Sequence, residues 1–166
     1  KQTMSCPLCR EETIRRAGEH KTDKHEDYWL YHCLNCDVQF WEPMKNPGGE
    51  WYEEKKHSPY RAVQNRLGVK FNLFLESNLV SEGKILDIGC GNGAFLKACR
   101  DRGYQATGID FNRQAIRDAR QLNGLEKVHA LSLDEYKSEY PHEKFDVISF
   151  FEVIEHQDDP NLFIHN

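Results

Sequence analysis

The sequence contains no apolar run near the ~20 residues that span a bilayer, so no membrane-crossing helix is expected. Its polar beginning has no apolar core of a secretory leader, and a cytoplasmic location is the expectation. Basic residues are neither in excess nor clustered. Lys and Arg number 22 against 27 Asp and Glu, the formal net charge is −5, and short runs such as Lys55-Lys56 do not make the basic face that nucleic acid needs. Internal repeats and low-complexity tracts are also missing. At 39% hydrophobic and 30% charged, the 166 residues suit one domain, or one small domain with part of a larger one.

What is present starts with cysteine. Four of the six form two pairs, Cys6-Pro7-Leu8-Cys9 and Cys33-Leu34-Asn35-Cys36, with 23 residues between Cys9 and Cys33. Two such knuckles fit a four-thiolate zinc site, because a two-residue gap lets both sulfurs of a pair face one tetrahedral ion. A disulfide framework is the competing reading and requires an oxidising compartment that nothing in the sequence indicates. With Cys6, Cys9, Cys33 and Cys36 as ligands every position is filled, so the zinc is structural and has no open site for catalysis. His20 and His32 are then surface histidines. Cys90 is a small filler in a glycine loop, and Cys99 a core residue of the helix after it.

Residues 1–45 read as a small zinc-ribbon-like segment. Arg10–Asp27 is a polar stretch, whereas Tyr28–His32 and Val38–Trp41 are β-prone and flank the second knuckle, giving an aromatic hairpin. So small a unit leans on its metal. Residues 46–83 hold a Pro/Gly linker and a helical segment whose stripe is Leu67, Phe71, Phe74, Leu75 and Leu79. Tyr52 and Tyr60 are candidates to lid a ligand. From residue 84 strands and helices alternate: strand Ile85–Asp87, helix Asn92–Asp101, strand Ala106–Asp110, helix Arg113–Leu122 stopped at Asn123-Gly124, strand Val128–Leu131, loop or short helix Ser132–Tyr140, and strand Phe145–Phe150. Such alternation implies an α/β fold with a Rossmann-like, doubly wound parallel sheet, whose ligand lies at the carboxyl ends of the strands. Asp87, Asp110 and Glu152 fall at those ends. Asp159 and Pro160 then read as the cap and first turn of another helix. Four parallel strands leave an apolar strand without a neighbour, so the sequence reads as part of a longer protein, with residues 84–166 the first part of the sheet domain.

The run Asp87-Ile88-Gly89-Cys90-Gly91-Asn92-Gly93-Ala94 satisfies two patterns. As G-x-G-x-x-A it is a dinucleotide fingerprint with Asp110 on a ribose. As D-x-G-x-G-x-G it resembles the first motif of class I S-adenosylmethionine-dependent methyltransferases. Gly108-Ile109-Asp110-Phe111 resembles that family's second motif, and Lys144–His156, KFDVISFFEVIEH, its strand-four motif and turn. The resemblance covers residues 84–160 in order and spacing, about half the chain. It implies strands one to four of a seven-stranded sheet and S-adenosylmethionine as cofactor.

It further implies that Asp87 supports the loop near the methionine ammonium, and that Gly89, Cys90, Gly91 and Gly93 lie against the ligand by their backbone. Asp110 would take the two ribose hydroxyls and Phe111 would lie beside the adenine. Ser132 and Leu133 would edge the adenine, and Phe150 and Phe151 would floor the site. Methyl transfer is a direct displacement that relies on positioning, aided by a general base when the acceptor is a hydroxyl. Glu152, Glu155 and His156 are the candidates, with Glu152 and His156 four residues apart and so on one face of a helical turn. The expected acceptor is a small molecule, a sugar or another metabolite. An RNA acceptor, and a non-catalytic binding module with a vestigial nucleotide fold, are the alternatives.

Overall fold

The computed structural model describes residues 4–21, 27–44, 68–77 and 82–166. Tyr52, Tyr60, Leu67 and Leu79 lie outside them. The chain divides into two compact units, Lys1–Asn46 with Ile154–Asn166, and Pro47–Val153.

In the first unit, β1 (Ile14–His20), β2 (Tyr28–Cys33) and β3 (Gln39–Glu42) form an antiparallel sheet in that order. The aromatic hairpin expected around the second knuckle is β2–β3, and Tyr31 stacks on Phe40 at 5.9 Å. β1 is a departure, since it arises within the polar stretch. It alternates no apolar residues of its own; pairing with β2 and the Arg16 guanidinium lying 3.7 Å over the Trp29 ring hold it there. After a 3₁₀ turn at Ile154–His156, α5 (Pro160–His165) follows the expected cap: Asp159 accepts from the Asn161 and Leu162 N–H groups and Pro160 opens the helix. Arg10 binds Asp159 at 2.7 Å, and the Asn161 amide donates to the Leu8 carbonyl at 2.7 Å, so α5 is tied to the first knuckle.

In the second unit, α1 (Val69–Glu76) precedes β4 (Lys84–Ile88), α2 (Ala94–Arg100), β5 (Gln105–Ile109), α3 (Arg113–Asn123), β6 (Val128–His129), α4 (Leu133–Glu139) and β7 (Val147–Ser149). The four strands are parallel in the order β6-β5-β4-β7, as the alternation predicts. Succession runs outward from β4 to β6 and then returns to its other side at β7. The order therefore reverses beside β4, where such sheets open a crevice at their carboxyl ends. Ile85, Phe95, Leu96, Cys99, Ile116, Ala119 and Val128 are fully or almost fully buried around this sheet.

The stop of α3 at Gly124 (φ 61°) and its start at Asn112, whose side chain accepts from Gln114 and Ala115, follow the letters closely. Other boundaries move by one or two residues, and the last strand shortens from Phe145–Phe150 to Val147–Ser149. α2 starts at Ala94 because Gly93, at φ 75°, still belongs to the loop. β6 is two residues long, and Ser132 ends the extended chain by capping α4. Its hydroxyl accepts from the Glu135 N–H while the Glu135 carboxylate accepts from Ser132, a capping box that makes 133–139 a helix.

Candidate functional site

The glycine loop is fixed from below by β5. The Gly89 and Cys90 N–H groups both donate to the Ile109 carbonyl, at 2.8 and 3.0 Å. Asp110 fixes it from the side: one carboxylate oxygen accepts from the Gly91 N–H at 2.9 Å and the other from the Asn112 N–H at 2.8 Å. Burial lifts the Asp110 carboxyl above its ordinary value, and the Asn112 and Gly91 N–H groups pull the other way. The loop's glycines also have packing reasons. A Cβ on Gly89 would meet Val153 at 2.5 Å, and one on Gly93 would meet Leu125 at 2.3 Å, both at positive φ. At the start of α2 the Ala94 N–H is taken by the Asn92 side chain.

Asp87 lies one residue from the end of β4, opposite Gly108 on β5 and Ser149 on β7. It is 4% exposed, and Ser149 Oγ donates to its Oδ1 at 2.6 Å. Burial pushes its carboxyl up to about 7, against the pull of the Ser149 hydroxyl; Asp110 raises it further and Lys70 opposes. Cys90 points into the core, where Gly108 makes room for it, and burial keeps its thiol far above the ordinary value. It fills space, and only its backbone is left to face a ligand.

The remaining sequence-derived residues are spread around these. Phe111 follows Asp110 and is exposed. Ser132 and Leu133 form the cap and first residue of α4. Phe150 is 37% exposed after β7, whereas the Phe151 ring meets Phe71 and Phe95 edge-on at 5.0 Å each and so packs in the core. Glu152 and His156 do not share a helical face. Glu152 is left-handed, with φ 58°, so the chain turns there and only later enters a 3₁₀ turn; Glu152 belongs to the second unit and His156 to the first. Instead, Glu152 pairs with Lys70 of α1 at 2.5 Å. Neither Lys70 nor Ser149 stood out in the sequence. Ser149 had a signal, a polar residue ending an apolar strand, but Lys70 had none.

The four knuckle cysteines converge. Their sulfurs all lie within 4.8 Å of one another, with Cys6–Cys36 at 3.7 Å and Cys9–Cys33 at 3.6 Å. Four thiolates on one zinc, with Zn–S about 2.3 Å, stand about 3.8 Å apart, so the donor set fits the ion. The two knuckles have the same backbone. Arg10 and Asp37, the residues after each second cysteine, are left-handed and donate to the carbonyls of Cys6 and Cys33 at 3.0 Å. The Glu11 backbone N–H and then the Asn35 amide draw the Cys9 thiol down, whereas Cys36, against the pull of the Val38 backbone N–H, is pushed up by burial and by the other three sulfurs. All six cysteines are free thiols.

A family model described as a methyltransferase domain matches residues 58–166, well over half of the chain. The chain belongs to the class I S-adenosylmethionine-dependent methyltransferases. Among the family's curated members it is 34% identical over 159 residues to the ubiquinone biosynthesis O-methyltransferase of Idiomarina loihiensis, covering 92% of this chain and 58% of that protein. It is 31% identical to the protein of the same name from Bordetella avium, over 79% of this chain and 55% of that one. The chain thus spans about half the length of these relatives. No described helix is long and apolar enough to cross a membrane.

Proposed function

We propose that the protein binds S-adenosylmethionine over Gly89–Gly93 and transfers its methyl group to a hydroxyl of a small-molecule acceptor. The observation that carries this reading is the Asp110 carboxylate, held by two backbone N–H groups at the carboxyl end of β5 and braced against the glycine loop. When bound, the donor supplies an electrophilic methyl on a sulfonium. Asp110 would take the ribose hydroxyls by its remaining lone pairs, and Asp87 would face the cationic methionine end. Phe111, Ser132 and Leu133 would border the adenine, and Phe150 would lie near the sulfonium. Glu152, three residues beyond β7 and paired with Lys70, would be the group that accepts the acceptor's proton. The relatives' names support an oxygen acceptor. The acidic charge balance supports a small molecule over RNA.

The four cysteines would hold one structural zinc. Calorimetric titration with S-adenosylhomocysteine tests the donor reading: binding is expected, and Asp110→Ala should weaken it by about tenfold or more, the 1.4 kcal/mol or more of a lost charged hydrogen bond. No binding by the wild-type protein would overturn it. Metal analysis should find about one zinc per chain.

A further inference from the structure

We propose that Ser149 is a positioning residue of the donor site: its hydroxyl fixes one oxygen of Asp87 and leaves the other to accept from the donor's cationic end. The inference rests on the reading that this chain binds S-adenosylmethionine.

The geometry is that of a cross-strand pair. Asp87 on β4 and Ser149 on β7 are register partners in a parallel ladder, and both are buried, at 4% and 7% exposure. The hydroxyl has two acceptors in reach, Asp87 Oδ1 at 2.6 Å and the Leu86 carbonyl at 3.5 Å. It carries one proton, which goes to the shorter contact. A buried carboxylate that has lost its water keeps its charge only through such donors.

The charged and titratable groups facing Asp87 come from every neighbouring element. Asp110 follows β5 and disfavours the ionised form. Lys70 on α1 favours it, more weakly than the hydroxyl does. Cys90 and Cys99 are thiols kept neutral by burial. Ser149 is thus the strongest of these groups acting against the cost of burial. Its loss would leave Asp87 protonated at neutral pH, and a protonated acid attracts an ammonium poorly. Ser149 matters in this account for the charge state of its partner, and that separates it from a residue that merely fills space.

The test is calorimetric titration of S-adenosylhomocysteine into the full chain between pH 6 and pH 9. Ser149→Ala should bind about fivefold more weakly than wild type at pH 7, with the gap closing towards pH 9. Ser149→Thr and Ser149→Val add the same bulk and differ in the hydroxyl, so Thr should follow wild type and Val should follow Ala. Asp87→Asn should bind weakly with no pH dependence in this range. A Thr variant no better than Val, or a Ser149→Ala deficit of equal size at every pH, overturns the proposal and makes Ser149 a packing residue. Failure of the wild-type chain to bind at any pH removes the donor reading itself, and this inference with it.

Discussion

Asp87 is an acid placed where the sheet offers it almost no water. Its carboxyl stands near 7 in the fold and near 3.9 in an unfolded chain. Between those values the folded protein keeps a proton that the unfolded chain has released. Raising the pH from about 4 to about 7 therefore favours unfolding, and the loss levels off above that window. Asp87→Asn should remove the loss. Its thermal midpoint is expected to match wild type near pH 4 and to exceed it at pH 7.5, reflecting a stability difference of order a few kcal/mol or less. Equal midpoints at pH 7.5 would refute the buried charge. The stability gained would come with weakened donor binding, the trade expected of an acid kept for function.

Gly93 shows the opposite economy. At φ 75°, with Leu125 and Ala119 against it, Gly93→Ala should cost about 1–3 kcal/mol, read as a lower denaturation midpoint at unchanged slope. Asp87, Asp110 and the loop glycines were legible because motif and strand end coincide in sequence. Ser149 and Lys70 were not, because what defines them is a partner brought near only by the sheet: Asp87 lies 62 positions before Ser149.

Among elements, two capped helices were read well, whereas α4, with its Ser132–Glu135 capping box, was left between loop and short helix. α3 has Asn112 before it and Gly124 after it, and α5 has Asp159 and Pro160. β1 was missed because its residues carry no alternation, and its strand character comes from β2. Glu152 and His156 were misplaced on one face because four-residue spacing predicts proximity only where the backbone is helical. The knuckles invite a test at this scale. α5 has six residues, far short of a helix that persists alone, and its ties run to Leu8 and Arg10 of the first knuckle. If the cysteines hold the proposed zinc, chelation should therefore raise amide exchange in residues 159–165 together with β1–β3. Exchange in 159–165 that ignores chelation would show that the knuckle does not hold the helix.

At the scale of the whole molecule, the chain leaves its first unit near residue 46, builds the parallel sheet, and returns to the first unit after Val153. The sequence order of motifs hides this return, since Ile154–His156 continues the strand-four motif without a break. Every donor-site candidate from Asp87 to Glu152 nevertheless lies between Pro47 and Val153, and so do all four strands of the parallel sheet. The ladder hydrogen bonds that place Asp87, the loop and Asp110 are internal to that unit. A shortened chain beginning at residue 47 should therefore bind S-adenosylhomocysteine within about threefold of the full chain, under 1 kcal/mol of difference. The same shortened chain lacks Leu8 and Arg10, so residues 159–165 should exchange their amides as an unfolded segment does. Both results are needed together. Retained binding with a protected 159–165 would mean that α5 is held by something other than the knuckle. Lost binding in a shortened chain whose sheet still melts cooperatively would mean that the first unit contributes to the donor site.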